Sequence, residues 1–226
     1  MKVYSVLQGS PDFGADYVRR LYDGLRRYWP GALDFRVLTD TAVDEPGVRE
    51  EPLWCPAPSS EPGYWCKMSL CHPSVTGDVL YLDLDTVPVG PLDGIARERM
   101  GPIALRTFTH RKRLRINSSV MLLTEQARAI LWRYWSRDPE RIMEDFRWGG
   151  AEALAYGDQG FIQAAWSRER LEWSYWQDWC PLQIESYKLG VEARGGLGRD
   201  TRLVVFHGHP RPHEIGWALP ERRAVA

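Results

Sequence analysis

The 226-residue chain balances 29 Lys and Arg against 30 Asp and Glu, a formal net charge of −1, so no global positive field draws it to nucleic acid or to an anionic membrane. That length suffices for one α/β domain that buries most of its unfolded surface. Four cysteines, Cys55, Cys66, Cys71 and Cys180, lack the paired close spacing of a structural zinc site and read as reduced thiols.

In chain order, residues 2–8 predict a strand and 9–14 a loop. Tyr17, Val18, Leu21, Tyr22, Leu25 and Tyr28 recur at helical spacing and predict a helix over 16–28, ended by Pro30 and Gly31. A short strand at 35–38 completes a strand, helix, strand unit, the opening of a nucleotide-binding α/β sheet. Residues 45–62, rich in proline and acids, predict a surface loop; 64–71 predict a short helix, and 79–87 one continuous strand. Strands at 103–105 and 119–123 flank a basic run, Arg111–Arg115, that reads as a solvated loop before a binding patch. Thr124 is placed to cap a helix over 125–135, Asp138-Pro139 to cap and open another, and 158–167 forms a third. A last strand at 203–206 runs into a loop at 207–212 rich in glycine and proline.

No internal repeat or linker marks a second domain, so a single domain is expected, with a nucleotide-binding half at 1–90 and an acceptor or sugar half at 91–226. The longest apolar candidate, 79–89, contains two aspartates and falls short of the roughly 18 residues that span a bilayer. The opening residues lack the apolar core and cleavage site of a secretory signal. The expectation is a soluble cytoplasmic protein, or one peripheral to the inner membrane face. Eleven tryptophans and ten tyrosines suit a large core or a stacking surface, the core being the reading preferred.

Chemistry concentrates in Val79-Leu80-Tyr81-Leu82-Asp83-Leu84-Asp85-Thr86-Val87. In a strand, Asp83 and Asp85 share a face, and two such carboxylates repel unless a cation sits between them. A hard divalent ion such as Mg²⁺ or Mn²⁺ is the usual answer; the alternative is a pair of aspartates capping neighbouring loops. Asp83-Leu84-Asp85-Thr86-Val87 also fits the first motif of haloacid-dehalogenase-type phosphatases, in which an aspartate is the phosphorylated nucleophile. Against that reading, a strand, helix, strand unit precedes the motif here, and no paired-aspartate motif follows it. Gln8 and Asp40 end the first two strands, where open α/β sheets bind ligands, and are candidates for nucleobase and ribose.

Four motifs then occur in order: Asp83 to Asp85, Asn117-Ser118-Ser119-Val120-Met121-Leu122, Gly157-Asp158-Gln159-Gly160, and Phe206-His207-Gly208-His209-Pro210-Arg211-Pro212. In this the sequence resembles the GT-A glycosyltransferases, most of all the family 8 type of glycogenin and related galactosyltransferases. The resemblance implies an α/β fold of GT-A type, a Rossmann-like domain with a mixed central sheet flanked by helices. It makes Asp83, Asp85 and His207 ligands of Mn²⁺ (or Mg²⁺), with His209 the alternative to His207. Arg211 stands where the family has lysine and would face the donor diphosphate, beside Gly208. Lys67 occupies the place of a basic residue turned toward the donor. Asn117, Ser118, Asp158 and Gln159 would face the sugar, although Asp158 could equally cap its helix. The implied activity is transfer of a sugar from a nucleoside diphosphate sugar to a hydroxyl acceptor, a glycan or glycolipid. Alternatives are a modified DNA base as acceptor, the phosphatase, and an inactive nucleotide-sugar binding module.

Overall fold

The computed structural model of the chain describes residues 1–109, 115–147 and 156–219. Strand β1 (Lys2–Leu7), helix α1 (Ala15–Tyr28) and strand β2 (Asp34–Thr39) form the expected opening unit, with Val3 of β1 opposite Phe35 of the parallel β2. The helical spacing has a packing consequence: Tyr17, Val18, Leu21 and Leu25 of α1 are buried in one cluster with Val3, Leu7, Phe35 and Val37. Truncating fully buried Leu25 to alanine would cost about 2–5 kcal/mol, lost transfer energy plus a cavity.

The expected loop at 45–62 holds a strand, β3 (Val48–Pro52), paired in parallel with β2. Its sequence, VREEP, carries one aliphatic residue and no alternation, and it forms a charged sheet edge. Residues Gly63–Cys71 form a 3₁₀ helix, and Asp93–Ala96 the one-turn helix α2. Strand β4 (Val79–Leu82) pairs in parallel with β1, and β7 (Ile116–Leu123) runs antiparallel between β4 and β6 (Ile103–Arg106). With β8 (Ser174–Tyr175) on β6, the central sheet has seven strands in the order β3-β2-β1-β4-β7-β6-β8, and it is mixed as expected.

Alternate residues of each strand enter different cores: Val3 and Leu80 join the cluster on α1, whereas Tyr4 and Tyr81 join the other. The second core packs Leu131 and Trp135 of α3 (Glu125–Trp135), Met143 of α4 (Pro139–Phe146) and Phe161 and Trp166 of α5 (Gly157–Arg168). Both expected caps form: Thr124 Oγ1 accepts from Ala127 N at 3.2 Å, and Asp138 Oδ1 from Arg141 N at 2.9 Å. The four cysteines are free thiols. No described helix is long and apolar enough to cross a membrane.

The continuous strand expected at 79–87 is corrected. It breaks after Leu82: the Thr86 amide and hydroxyl both donate to the Asp83 carbonyl, at 3.0 and 2.7 Å, closing a turn. The chain then enters a separate three-stranded sheet as β5 (Thr86–Pro88), beside β10 (Leu203–Val205), which in turn pairs with β9 (Ile184–Ser186). Asp83 and Asp85 therefore occupy a turn between two sheets, not one face of a strand. That turn also carries the end of β10 to them, because Phe206 N donates to Asp85 O at 3.3 Å.

Candidate active site

Asp83 follows the last paired residue of β4, and its amide donates to the Ser119 carbonyl of β7 at 2.8 Å, which fixes the start of the turn. Its carboxylate accepts from Tyr81 Oη at 2.5 Å and lies 3.1 Å from the ammonium of Lys67. Lys67 comes from the 3₁₀ helix and is buried; it also lies 3.0 Å from Asp158 Oδ2 and donates to Ser118 Oγ at 2.9 Å. Ser118 donates in turn to Asp158 Oδ2 at 2.6 Å. One ammonium thus ties together the turn, β7 and the first turn of α5. Burial alone would lower the Lys67 pKa, but Asp158 and Asp83 outweigh it and hold the group well above the ordinary lysine range.

The alternative of Asp158 as a helix cap is not what forms. Tyr156 is the N-cap residue of α5 and makes no side-chain cap bond, while Asp158, two residues further on, spends its carboxylate on Lys67 and Ser118. Gly157 precedes it at φ 67°, and a Cβ there would come within 2.9 Å of the Tyr64 ring, so only glycine lets the chain enter α5 at this point. Gln159 is half-buried in the same turn. Asn117, also half-buried, accepts from Ser119 N at 3.0 Å.

Asp85 is buried, and Arg211 Nη1 lies 3.2 Å from its Oδ2. Burial first, then the charge of Asp83, push its carboxyl up to about 7, even with Arg211 and Lys67 pulling the other way. The pair remains short of positive charge. Arg211 is held on its other side by the Phe13 ring, with Cζ 4.5 Å from the centroid, and its Nε is buried without a partner.

His207 leaves the end of β10 with Nε2 2.7 Å from Ser186 Oγ and its ring stacked at 5.6 Å on Phe108. Burial, then the nearby Lys188, lower its pKa, so the imidazole is neutral at neutral pH. His209 is exposed and pairs with Glu214 at 2.9 Å, while His213 faces Tyr17 at 2.5 Å. Gly208 takes φ 70°.

Gln8 and Asp40 do end their strands. The Gln8 amide is engaged at both ends with the backbone of Ala57, donating at 2.7 Å and accepting at 2.8 Å, and clips the loop over the sheet. Asp40 is exposed, accepts from Gly9 N at 2.9 Å, and lines an open cavity of about 390 Å³ with Thr41 and Glu51. Residues 111–114 of the basic run lie outside the described residues. Sequence reasoning missed Tyr81, Ser186, Phe13, Phe108 and Lys188. Tyr81 had a signal, being two residues before Asp83; the others meet the site only through tertiary packing.

Among the described residues, no three of His, Cys, Asp and Glu already converge as a metal cage. The donor chemistry nonetheless fits a hard divalent cation: two carboxylates, one pushed up by burial and then by the charge of the other, with a neutral imidazole at the end of the neighbouring strand.

No protein-family model and no curated protein sequence matches the chain. Its fold, however, matches solved glycosyltransferases. The galactosyltransferase LgtC, in complex with donor and acceptor sugar analogs, is 12% identical with a TM-score of 0.63, over 94% of this chain and 89% of that one. GlyE of Streptococcus pneumoniae TIGR4 is 14% identical with a TM-score of 0.61, over 96% of this chain; the chain spans only 59% of GlyE. The bifunctional glycosyltransferase WbbM is 11% identical with a TM-score of 0.60, over 93% of this chain and 46% of that one. The chain has the GT-A glycosyltransferase fold.

Proposed function

We propose that this chain is a cytoplasmic, metal-dependent glycosyltransferase that moves a sugar from a nucleoside diphosphate sugar to a hydroxyl of a glycan or glycolipid. The observation that carries the reading is the Lys67 network: in a GT-A fold, one buried ammonium locks Asp83 beside Asp85 at the end of β4 and turns Asp158 toward the same place. Function on a shared fold must be argued from such a site, because folds host many activities.

Asp83 and Asp85 would hold Mn²⁺ or Mg²⁺, with His207 the third protein ligand once its imidazole leaves Ser186. Such an ion, when bound, supplies Lewis-acid stabilisation of the departing diphosphate. The chain's own residues set the geometry. Lys67 and Ser118 hold Asp158 in place, and Asp158, Gln159 and Asn117 position the donor sugar, so that the acceptor hydroxyl meets it in a restricted orientation. Gln159, half-buried in the same turn as Asp158, is the first sugar-side residue to replace. Arg211, placed on Asp85 by Phe13, can turn its free edge to phosphate oxygens, with Gly208 allowing close backbone approach. Asp40 lies where the ribose would rest, and Gln8 shapes that region by holding the Ala57 loop. A phosphatase would need Asp83 as nucleophile, yet that carboxylate is already held by Tyr81 and Lys67.

The test is a thermal-shift screen of nucleoside diphosphate sugars with and without Mn²⁺. A donor at 100 times its dissociation constant raises stability by about 2.7 kcal/mol. A shift that needs both donor and ion supports the proposal, and no shift with any donor removes it.

A further inference from the structure

The loop that ends β10 carries more positive charge than the C-terminal motif alone brings to it. Lys188 belongs to the short π-helical segment Tyr187–Glu192 that follows β9. It is half-buried, and a Cβ built on Gly208 would lie 3.5 Å from its Nζ, so the ammonium rests over the backbone beside His207. Among the described residues it makes no hydrogen bond or ion pair, whereas the other two cations of the site are engaged: Lys67 by Asp83 and Asp158, Arg211 by Asp85 and the face of Phe13.

With no carboxylate bound to it among the described residues, this ammonium is available to an incoming anion. What surrounds it suits one. Gly208 presents bare backbone at φ 70°, a conformation that strains other residues, and the ammonium lies at ordinary contact distance from it. His207, on the same backbone, bonds to Ser186 and stacks on Phe108.

We infer that Lys188 is a diphosphate-binding residue of this site, supplying the phosphate charge that Arg211, engaged by Asp85, supplies only in part. The inference rests on the proposed nucleotide-sugar reading and assigns a role to a residue outside all four sequence motifs. A lysine acts there as a compact point charge, so it favours two adjoining phosphates over one without demanding a fixed bidentate geometry.

The test is calorimetric titration of UDP, GDP, ADP, CDP and TDP, and of the matching monophosphates, into wild-type protein and Lys188→Met, all with Mn²⁺. For the diphosphate that wild type binds, Lys188→Met should weaken affinity by about tenfold or more, the effect of losing one charge-assisted contact. The matching monophosphate should change by less than about threefold, and Lys188→Arg should keep most of the diphosphate affinity. Unchanged diphosphate affinity in Lys188→Met overturns the inference and leaves the glycosyltransferase proposal standing. Equal losses for monophosphate and diphosphate also overturn it, since the lysine would then act on the shared phosphate or on the fold and not on the diphosphate as such. Failure of wild type to bind any of the five diphosphates overturns the proposed function, and this inference with it.

Discussion

Replacing Lys67 by methionine removes the ammonium that joins Asp83 to Asp158 while keeping most of the side chain's volume. The two carboxylates, 3.1 and 3.0 Å from Nζ in the native protein, would then share a buried space with only Tyr81 and Ser118 to satisfy them. Removing one partner of a buried ion pair costs about 3–5 kcal/mol, because a charge is left without compensation. In a domain of this size each kcal/mol lowers Tm by about 2–4 °C, so Lys67→Met should melt about 6–20 °C below wild type. Thermal unfolding followed by circular dichroism at neutral pH measures this. The double variant Lys67→Met with Asp158→Asn removes one of the orphaned charges and should regain part of the loss. A single variant that melts within about 2 °C of wild type would refute the reasoning, showing that water or a rearranged partner compensates the carboxylates and that the ammonium does not organise the site.

His207→Ala should weaken Mn²⁺ binding and lower turnover by about tenfold or more, the loss usual for a ligand or its support, while His209→Ala and His213→Ala do far less; titration with Mn²⁺ and steady-state rates decide it. The metal effect should also depend on pH in a stated direction. Burial, then Asp83, hold the Asp85 carboxyl up at about 7, so between the ordinary aspartate range and that value the folded protein keeps a proton that the unfolded chain has lost, and stability falls as pH rises through this window. A divalent ion relieves the penalty, so the Mn²⁺-induced rise in Tm should be larger at pH 8 than at pH 5.5 and should vanish in Asp85→Asn. Equal shifts at the two pH values would remove Asp85 from the metal site.

The parts of the fold most legible in the sequence are those with a strong local signal. The apolar period of α1, the caps at Thr124 and Asp138, and the buried runs of β1, β4 and β7 each fix their own element. What escaped has no such signal. Strand β3 is a charged edge held by backbone pairing to β2, and β8 and β9 have only two and three residues, too short for any period. The break after Leu82 was hidden because Leu84, Thr86 and Val87 suit a strand; the turn is closed by bonds from Thr86 to the Asp83 carbonyl. In the site, residue types in motif order pointed to Asp83, Asp85, Lys67 and Asp158. Their joining through one ammonium, and the approach of Lys188 to Gly208, depend on packing between segments far apart in the chain.

The glycosyltransferase proposal requires that this chain cleave a nucleotide sugar at the turn holding Asp83 and Asp85. Release of nucleoside diphosphate from a panel of nucleoside diphosphate sugars, with Mn²⁺ and with or without simple glycan acceptors, measures it most directly. Release is expected from at least one donor, dependent on the ion, faster with an acceptor, and lost in Asp85→Ala although that variant remains folded. Release that continues undiminished in Asp85→Ala, or no release from any donor by well-folded wild-type protein, would contradict it.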